Sequence, residues 1–298
     1  MARVLVTGGT GLLGWSLVNR LVERGFEVYA TYHATRPPVA EGVKWVWVDF
    51  DDPHEARPLV ESLRPEVVVH AAAYTDVDGC EANKLLALNV NYVSTRELAT
   101  ACRGVCKYFV YISTDYVFDG EKGLYREGDP PNPLNYYGLT KLMGEIAVAA
   151  NLEYYLVLRT SGLYGCSPGG KRGFALDALG KLSRGQVVEA FVDQFLSPTY
   201  APDLADAITR LLEGRPRGFL HVAGERVSRY EFAVELARVL GVSEDLVKPT
   251  SIASAVLRAR RPRDSSLDSS LARSMGVGVR PLREALRAFA GECVDYAR

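Results

Sequence analysis

The sequence predicts an α/β protein with a doubly wound parallel sheet and a smaller, interleaved C-terminal lobe. In the first half of the chain, short apolar runs alternate with helical patterns, as expected for strands joined by crossover helices. These runs are rich in β-branched and aromatic residues and do not alternate with polar ones, which indicates strands buried on both faces. The second half is less regular and has no linker, so we expect its lobe to be interleaved with the sheet.

The order of the predicted elements follows from these patterns. In the first half, strands are predicted at 4–7, 27–31, 43–48, 67–71, 108–113 and 154–159, with helices near 12–24, 54–63, 81–101 and 136–150. In the second half, helices are predicted at 173–184, 202–212, 228–240 and from near 281, with strands at 187–192 and 219–223. Pro202 suits the first position of a helix, and Ser228 with Glu231 forms a capping-box pattern.

The composition excludes several classes of protein. A net charge of −1 over 298 residues gives no basic surface for nucleic acid or for an anionic membrane. No apolar run reaches the ~18 residues that a membrane-spanning helix needs. The first predicted strand starts close to the N-terminus, so we expect no cleavable leader. These features predict a cytoplasmic protein with neither nucleic-acid nor membrane partners.

The cysteines predict neither a disulfide framework nor a metal site. Their number is odd, and no C-x-x-C pair occurs among Cys80, Cys102, Cys106, Cys166 and Cys293. Cys102 and Cys106 could share a helix face, but two thiols make an incomplete zinc site. Free cysteine is among the most buried residue types, so we expect these side chains to pack in the core. This usage suits a reducing compartment.

A glycine-rich segment follows the first strand and opens the first helix. Gly8, Gly11 and Gly14 give the pattern G-x-x-G-x-x-G within TGGTGLLG. Glycine permits the tight turn and lets the backbone approach a pyrophosphate, which a helix N-terminus binds through unpaired N–H groups. We therefore predict a Rossmann-type dinucleotide-binding domain at 1–162, with a return segment near 190–223, and a mainly substrate-binding lobe at 163–298.

The choice between the two nicotinamide dinucleotides depends on the segment after the second strand. An enzyme that uses NAD usually has an acidic residue there to bind the ribose 2′-hydroxyl. The segment 31–36 contains no acid, and His33 and Arg36 could instead meet a 2′-phosphate, although Arg36 could equally be a solvated loop residue. We therefore expect NADPH, with NADH possible. Asp49 and Phe50 follow the third strand, where an adenine would lie, although core packing also explains Phe50.

Tyr137 and Lys141 are the candidate catalytic pair. They stand four residues apart and would share one face of a helix. A cation beside a tyrosine hydroxyl, whose ordinary pKa is about 10, favours the phenolate and brings it closer to useful proton transfer. Alone, this spacing also occurs on solvated helices. Ser113, Thr114 and Asp115 end the fifth strand, however, and ligands in open α/β sheets bind beyond the carboxyl ends of strands.

Together these motifs resemble the extended short-chain dehydrogenase/reductase family. Further segments resemble its dTDP-4-dehydrorhamnose reductase branch and span nearly the whole chain. They are HAAAYTDVDGCE (70–81), STDYVFDG (113–120), NYYGLTKLMGE (135–145), LRTSGLYG (158–165), DQFLSPTYAPDLA (193–205) and RPRDSSLD (261–268). The resemblance implies NAD(P)H-dependent reduction of the C4 keto group of a nucleotide-linked 6-deoxy sugar, most specifically dTDP-4-dehydro-L-rhamnose to dTDP-L-rhamnose.

The resemblance also implies a role for individual residues. Tyr137 would donate a proton to the keto oxygen, and Lys141 would hold the nicotinamide ribose and lower the pKa of Tyr137. Thr114 would orient the carbonyl, and Asp115 would lie by the sugar. The residues that would contact the cofactor elsewhere are Gly11, Leu12 and Leu13 at the pyrophosphate, and Ala72, Ala73 and Tyr74 after the fourth strand.

The chain departs from the branch at the sugar. The branch often has Trp after R-T-S, whereas this chain has Gly162, which leaves the identity of the sugar open. A basic cluster at 258–263 could bind the diphosphate, with Arg261 the favoured residue and a solvated loop the alternative. Some relatives share a metal at a dimer contact, but the corresponding acids cannot be assigned here, so no metal is predicted. A homodimer is only a general expectation.

Two other functions remain open at this stage. A nucleotide-sugar epimerase or dehydratase could use the same fold, but the dehydratases have an Asp-Glu pair where this chain has Asp115-Tyr116. A non-catalytic NADP-binding subunit is the other alternative, because the regulatory subunit of methionine adenosyltransferase resembles the same branch. The intact Tyr137–Lys141 pair favours catalysis.

Overall fold

The central element of the fold is a parallel β-sheet. The computed structural model describes residues 2–169 and 173–297, and within them the sheet has eight strands. Its order is β3-β2-β1-β4-β5-β6-β10, with β9 paired to the end of β6. These strands and the four described outside the sheet are β1 (Arg3–Thr7), β2 (Glu27–Tyr32), β3 (Val43–Trp47), β4 (Val67–His70), β5 (Tyr108–Thr114), β6 (Tyr155–Tyr164), β7 (Val188–Phe191), β8 (Phe195–Leu196), β9 (Pro198–Tyr200), β10 (Gly218–His221), β11 (Val227–Ser228) and β12 (Val247–Thr250).

Helices cover both faces of the sheet and build the lobe. They are α1 (Leu12–Glu23), α2 (Ala56–Leu63), α3 (Val77–Ala82), α4 (Lys84–Leu88), α5 (Ser94–Cys102), α6 (Tyr136–Asn151), α7 (Phe174–Ser183), α8 (Ala201–Gly214), α9 (Arg229–Leu240), α10 (Ser270–Ser274) and α11 (Leu282–Ala297). The strand order reverses between β1 and β4, and such a switch point opens a crevice for ligands. The predicted doubly wound fold is confirmed, whereas the predicted domain boundary after residue 162 stays a prediction.

Strand β1 shows why these strands lack polar alternation. Val4 and Val6 belong to the core that α1 and α8 cover, whereas Leu5 belongs to the core on the opposite face, under α2 and α5. All three side chains are fully buried. Burying an aliphatic side chain of this size contributes about 1.5–3 kcal/mol, so both faces of the strand favour apolar residues.

The helix predicted at 81–101 is wrong as a single element. It is divided into α3, which begins earlier, α4, a π-helical turn at Asn89–Val93, and α5. The turn carries Asn91, whose side chain accepts a hydrogen bond from Tyr74 N (2.8 Å) and donates one to Thr140 Oγ1 (3.1 Å). Widened turns of this kind interrupt helices where a side chain must reach a neighbouring element. Here Asn91 links the segment after β4 to α6.

The lobe has its own apolar core and a disulfide within it. Helices α7, α9 and α11 pack together with β7 and β12 around Phe232 and Phe289. The capping box of Ser228 and Glu231 is present at the start of α9, as predicted. The expectation that no cysteine is paired is wrong, because Cys166 and Cys293 form a disulfide across 127 residues. Pairing over such a distance cannot be deduced from cysteine spacing.

Two further cysteines and His70 behave as core residues. Cys80 and Cys102 are buried, as predicted for cysteine packing. The His70 ring is fully buried between the hydroxyls of Thr7 (2.7 Å) and Thr95 (2.9 Å). Burial lowers the pKa of His70 to about 3, so its ring is neutral. None of the helices described here is both long and apolar enough to cross a bilayer.

Candidate active site

A cleft of about 560 Å³ lies beyond the carboxyl ends of β1, β4, β5 and β6. Its volume is within the range of small-molecule sites, and one end is formed by the glycine-rich segment and the other by the lobe. Elements from both halves of the chain therefore meet around one space. We refer to the end lined by residues 8–14 and 71–73 as the nucleotide side, and to the end lined by Phe174, Gln194, Leu196 and Arg229 as the lobe side.

The nucleotide side is shaped by backbone that leaves no room for side chains. Gly8 has φ +70°, and a Cβ on Gly14 would lie 2.1 Å from the carbonyl oxygen of Gly8. Gly11 caps α1 without any side-chain hydrogen bond, so the first N–H groups of the helix face the cleft unshielded. Leu12 and Leu13 also line the cleft. This cradle fits a dinucleotide pyrophosphate by the criterion of close backbone approach.

The other predicted cofactor residues divide into two groups. Ala72 and Ala73 line the cleft, whereas Tyr74 is not among the described lining residues and its N–H instead bonds Asn91. His33 and Asp49 lie together at the ends of β2 and β3, with 3.5 Å between Nε2 and Oδ2. They and Arg36 lie outside the described cleft lining. Phe50 is buried and its ring meets His70 edge-on, which matches the core-packing alternative.

The three predicted catalytic residues meet in the cleft. Thr114 ends β5, and Tyr137 and Lys141 project from the first turns of α6. Asn135 starts this helix by accepting a hydrogen bond from Gly138 N (2.9 Å). Because a Cβ on Gly138 would lie 2.1 Å from the Tyr116 carbonyl oxygen, glycine there lets the helix approach the strand end closely. The sequence motifs therefore come from separate elements that pack at one point.

The Lys141 ammonium faces the sheet. Its Nζ donates to the carbonyl oxygen of Ile112 (2.7 Å) and lies 4.1 Å from the centre of the Tyr111 ring. Burial lowers the pKa of Lys141 to about 7, and the Glu145 carboxylate opposes that shift. The charge of this side chain therefore changes near neutral pH.

The pKa of Tyr137 corrects an expectation from the sequence. Burial raises this pKa well above its usual range, the nearby Thr114 hydroxyl opposes the shift, and the Asp115 charge adds to it. The expected lowering depended on a cation beside the hydroxyl, whereas the Lys141 ammonium bonds Ile112. Burial is a tertiary effect that the spacing of two residues does not reveal. Tyr137 consequently stays protonated at neutral pH, which is the state a proton donor requires.

Asp115 lies in the cleft wall within a cage of hydroxyl groups. Its carboxylate accepts hydrogen bonds from Thr114 (3.0 Å), Ser161 (2.8 Å) and Ser265 (2.5 Å), which come from β5, β6 and the C-terminal segment. Burial raises the pKa of Asp115, and these hydroxyls oppose the shift. The cage fixes the carboxylate where the two halves of the chain meet.

The lobe side presents a guanidinium that the sequence did not single out. Arg229 Nε donates to Gln194 Oε1 (2.5 Å), and the guanidinium carbon lies 5.0 Å from the Phe174 ring centre. These contacts hold the side chain in one orientation while it lines the cleft. Gln194 lies in the DQF segment noted from the sequence, but nothing in the sequence distinguished Arg229 from other arginines.

Two positions discussed for the substrate are Arg261, predicted to bind its diphosphate, and Gly162, where the resembled branch often has tryptophan. Arg261 binds Asp78 through both carboxylate oxygens (2.9 and 3.2 Å) and is not among the described cleft residues. It ties the basic segment to α3. Gly162 has φ +51°, and a Cβ there would lie 2.4 Å from a methyl carbon of Leu196. Leu196 therefore occupies space next to a position that the resembled branch often fills with tryptophan.

The chain is similar to known proteins over its whole length. The family described as RmlD substrate binding domain matches residues 2–294. A probable low-salt glycan biosynthesis reductase of Haloferax volcanii is 35% identical, with 98% of each chain covered. A dTDP-4-dehydrorhamnose reductase of Streptomyces griseus is 36% identical over 94% of this chain and 90% of its own. The methionine adenosyltransferase 2 subunit beta of Xenopus tropicalis is 32% identical, with 96% and 86% covered.

The chain is also similar to solved protein structures over nearly its whole length. A hypothetical dTDP-4-dehydrorhamnose reductase from Sulfolobus tokodaii is 40% identical, with a TM-score of 0.82 and coverage of 94% of this chain and 98% of that one. A dTDP-4-dehydrorhamnose reductase from Bacillus anthracis in complex with NADP is 29% identical, with a TM-score of 0.84 and coverage of 97% and 99%.

Proposed function

The chain belongs to the RmlD substrate-binding domain family, and we propose that it reduces the C4 keto group of a nucleotide-linked 6-deoxy sugar. The proposed substrate is dTDP-4-dehydro-L-rhamnose and the product is dTDP-L-rhamnose. The relatives named as reductases and the NADP-bound structure support an NAD(P)H-dependent oxidoreductase of the extended short-chain dehydrogenase/reductase type. One observation carries the finer proposal: Thr114, Tyr137 and Lys141 line the same cleft as the glycine cradle.

The cofactor would be held mainly by backbone on the nucleotide side. Gly8, Gly11 and Gly14 would admit its pyrophosphate, and Lys141 would hold the nicotinamide ribose. When bound, the reduced nicotinamide supplies the hydride. His33 and Arg36 support a preference for NADPH, because a cationic arginine and a histidine near the end of β2 suit a 2′-phosphate better than an acidic residue would.

Protein groups would complete the reduction with a proton. Tyr137 donates it to the keto oxygen, since burial keeps this hydroxyl protonated at neutral pH. Thr114 stands at the end of β5. In our proposal its hydroxyl group lies within reach of the same keto oxygen and orients the carbonyl. Asp115, fixed in its hydroxyl cage, contacts the sugar ring.

The diphosphate of the substrate would be bound on the lobe side. Arg229 is better placed for this than Arg261, because Arg229 lines the cleft while the guanidinium of Arg261 is committed to Asp78. A guanidinium binds phosphate oxygens through charge-assisted hydrogen bonds. Gln194 and Phe174 hold Arg229 in place without neutralising its charge. The earlier prediction for Arg261 remains as an alternative.

The test is a coupled assay with the keto sugar made in situ. We expect oxidation of NADPH, followed at 340 nm, only when dTDP-4-dehydro-L-rhamnose is present. Oxidation of NADH with the same sugar should be slower. A protein that binds the cofactor yet oxidises neither form with this sugar would contradict the proposed substrate. Other nucleotide-linked keto sugars would then be tried in the same assay.

A second candidate function is a non-catalytic NADP-binding subunit of a methionine adenosyltransferase. The observation in its favour is the 32% identity with the subunit beta of Xenopus tropicalis. Purification with and without a methionine adenosyltransferase separates the two functions. A stable complex, together with no turnover of any keto sugar, would favour the regulatory role over the reductase.

A further inference from the structure

A buried ion pair lies directly behind the catalytic face of α6. Arg159 Nη2 and Glu145 Oε2 are 2.7 Å apart, and Arg159 Nε lies 2.9 Å from Glu145 Oε1. The two side chains are only 3% and 1% exposed. This bidentate geometry is the strongest arrangement for an arginine and a carboxylate. The pair is therefore fixed in place and shielded from solvent.

The pair joins three elements that carry the active site. Glu145 follows Lys141 by one helical turn on α6, so both side chains face the sheet. Arg159 belongs to β6, and Ser113 at the end of β5 donates to Glu145 Oε1 (2.5 Å). Ser113 directly precedes Thr114. The carboxylate thus ties the helix of Tyr137 and Lys141 to the strand that carries Thr114.

Stability alone does not explain the charges at this position. The guanidinium lies against the rings of Phe118 (5.0 Å) and Phe219 (4.8 Å), and its Nη1 is 3.4 Å from His221 Nε2; removing two charges from water at so buried a position is costly. Well-packed apolar residues in place of a buried ion pair are often neutral or stabilising. The carboxylate also stands one helical turn from Lys141, and its charge opposes the lowering of the Lys141 pKa by burial.

Lys141 has few charged neighbours to oppose its desolvation. The groups that face it are Tyr137 and Glu145 on its own helix, the Tyr111 ring on β5 and the His70 ring on β4. His70 is neutral because of its burial. Among these groups Glu145 supplies the negative charge, and it favours the protonated form of Lys141.

We propose, on the premise that the chain is the reductase described above, that Glu145 and Arg159 are positioning residues. They hold the catalytic face of α6 against β5 and β6, and the Glu145 carboxylate favours the ammonium form of Lys141, which binds the cofactor ribose. Neither residue needs to touch the substrate or the cofactor. Arg159 is the buried counter-ion of this carboxylate.

The first test removes the charges without leaving one of them unpaired. Glu145→Gln keeps an acceptor for Ser113 but leaves the buried Arg159 charge without its counter-ion. It is therefore combined with Arg159→Met. NADPH affinity of this double variant is measured by calorimetry from pH 6 to 9, which requires no sugar substrate. In the wild type, we expect affinity to fall as the pH rises through the pKa of Lys141, about 7 in the free protein.

We expect the double variant to fold, with the midpoint of this affinity loss about one pH unit lower, and with kcat about 10-fold lower. A folded double variant with the wild-type midpoint and wild-type kcat would overturn the inference and leave a purely structural ion pair. Because the midpoint depends only on cofactor binding, absence of turnover would count against the proposed substrate and not against this role.

A second variant covers failure of the double variant to fold. Glu145→Asp keeps the charge but withdraws it by one methylene group. We expect a midpoint close to the wild-type value with a several-fold lower kcat, because position is disturbed and charge is not; an unchanged kcat would contradict the positioning role. Asp203→Asn is the matched control, since it breaks the Asp203–Arg280 pair elsewhere, and should lower the melting temperature without moving the midpoint.

Discussion

The two sides of the cleft are built in different ways. On the nucleotide side, two short segments make the surface, and glycines at 8, 11 and 14 expose much of its backbone. On the lobe side, the surface consists of side chains from segments far apart in the chain, such as Gln194 and Arg229. A backbone cradle suits a group shared by many enzymes, whereas a side-chain surface can change with little effect on the fold.

In the proposed mechanism, cofactor binding and substrate choice depend on different sides of the cleft, and Lys141 serves both the cofactor and the reaction. Tyr137 and Lys141 stand between the two sides, on a helix that packs against the sheet. Substitutions on the nucleotide side should therefore change cofactor affinity alone, and substitutions on the lobe side should change the Michaelis constant of the sugar alone. Substitutions between them should change the rate, and at Lys141 the cofactor affinity as well.

Tyr137→Phe should produce the largest effect on turnover. Loss of a general acid lowers kcat by ~10²-fold or more, while the phenyl ring keeps its packing against Tyr116. NADPH affinity, measured by calorimetry, should stay within about 2-fold of the wild type. Tyr116→Phe is the matched control, because it removes a neighbouring hydroxyl. Equal turnover by Tyr137→Phe and the wild type would remove Tyr137 from the mechanism.

Gly14→Ala should break the nucleotide side only. Its Cβ would meet the Gly8 carbonyl oxygen at 2.1 Å, and backbone cannot move aside as a flexible side chain could. We expect NADPH affinity to fall about 30-fold, roughly 2 kcal/mol, as the cradle is pushed open. The Michaelis constant of the sugar at saturating NADPH should change little.

Gly128→Ala is the control for this change, because a Cβ at Gly128 meets no atom within 4 Å. It should leave cofactor affinity unaltered. If Gly14→Ala bound NADPH as tightly as Gly128→Ala, the pyrophosphate would not lie against this segment.

The sequence predicted the nucleotide side of the cleft more completely than the lobe side. The glycine cradle and the Tyr137–Lys141 pair are local patterns whose context, a strand before and a helix after, is visible in the sequence. Arg229 could not be predicted, because its place in the cleft depends on packing of α9 against Gln194. The raised pKa of Tyr137 likewise follows from burial, and the disulfide joins residues 127 positions apart.

Arg229→Gln should break the lobe side only. If Arg229 binds the diphosphate, losing a charge-assisted bond raises the Michaelis constant of the nucleotide sugar about 10-fold, with NADPH affinity unchanged. Arg238→Gln on the same helix is the matched control, since its guanidinium is exposed and pairs with Glu244. A rise in the Michaelis constant for Arg261→Gln, but not for Arg229→Gln, would assign diphosphate binding to the basic segment at 258–263 instead.

Cys293→Ser should have the smallest effect on activity and tests whether the lobe side needs its covalent link. The disulfide joins α11 to the segment after β6, close to the cleft residues Gly165 and Ser167. Closing so long a loop stabilises a fold by about 2–4 kcal/mol, mainly by restricting the unfolded chain. We expect a lower melting temperature for this variant and for the reduced wild type, with kcat and Michaelis constants at 25 °C within about 2-fold.

Two controls make this expectation specific. Cys106→Ser removes a half-buried thiol outside the disulfide and should keep the wild-type melting temperature. The melting temperature of Cys293→Ser should not respond to dithiothreitol, because the bond is already absent. If reduction lowered the sugar affinity of the wild type without changing its melting temperature, the link would shape the lobe side directly. The lobe side would then be shaped by the disulfide as well as by side chains, unlike the nucleotide side.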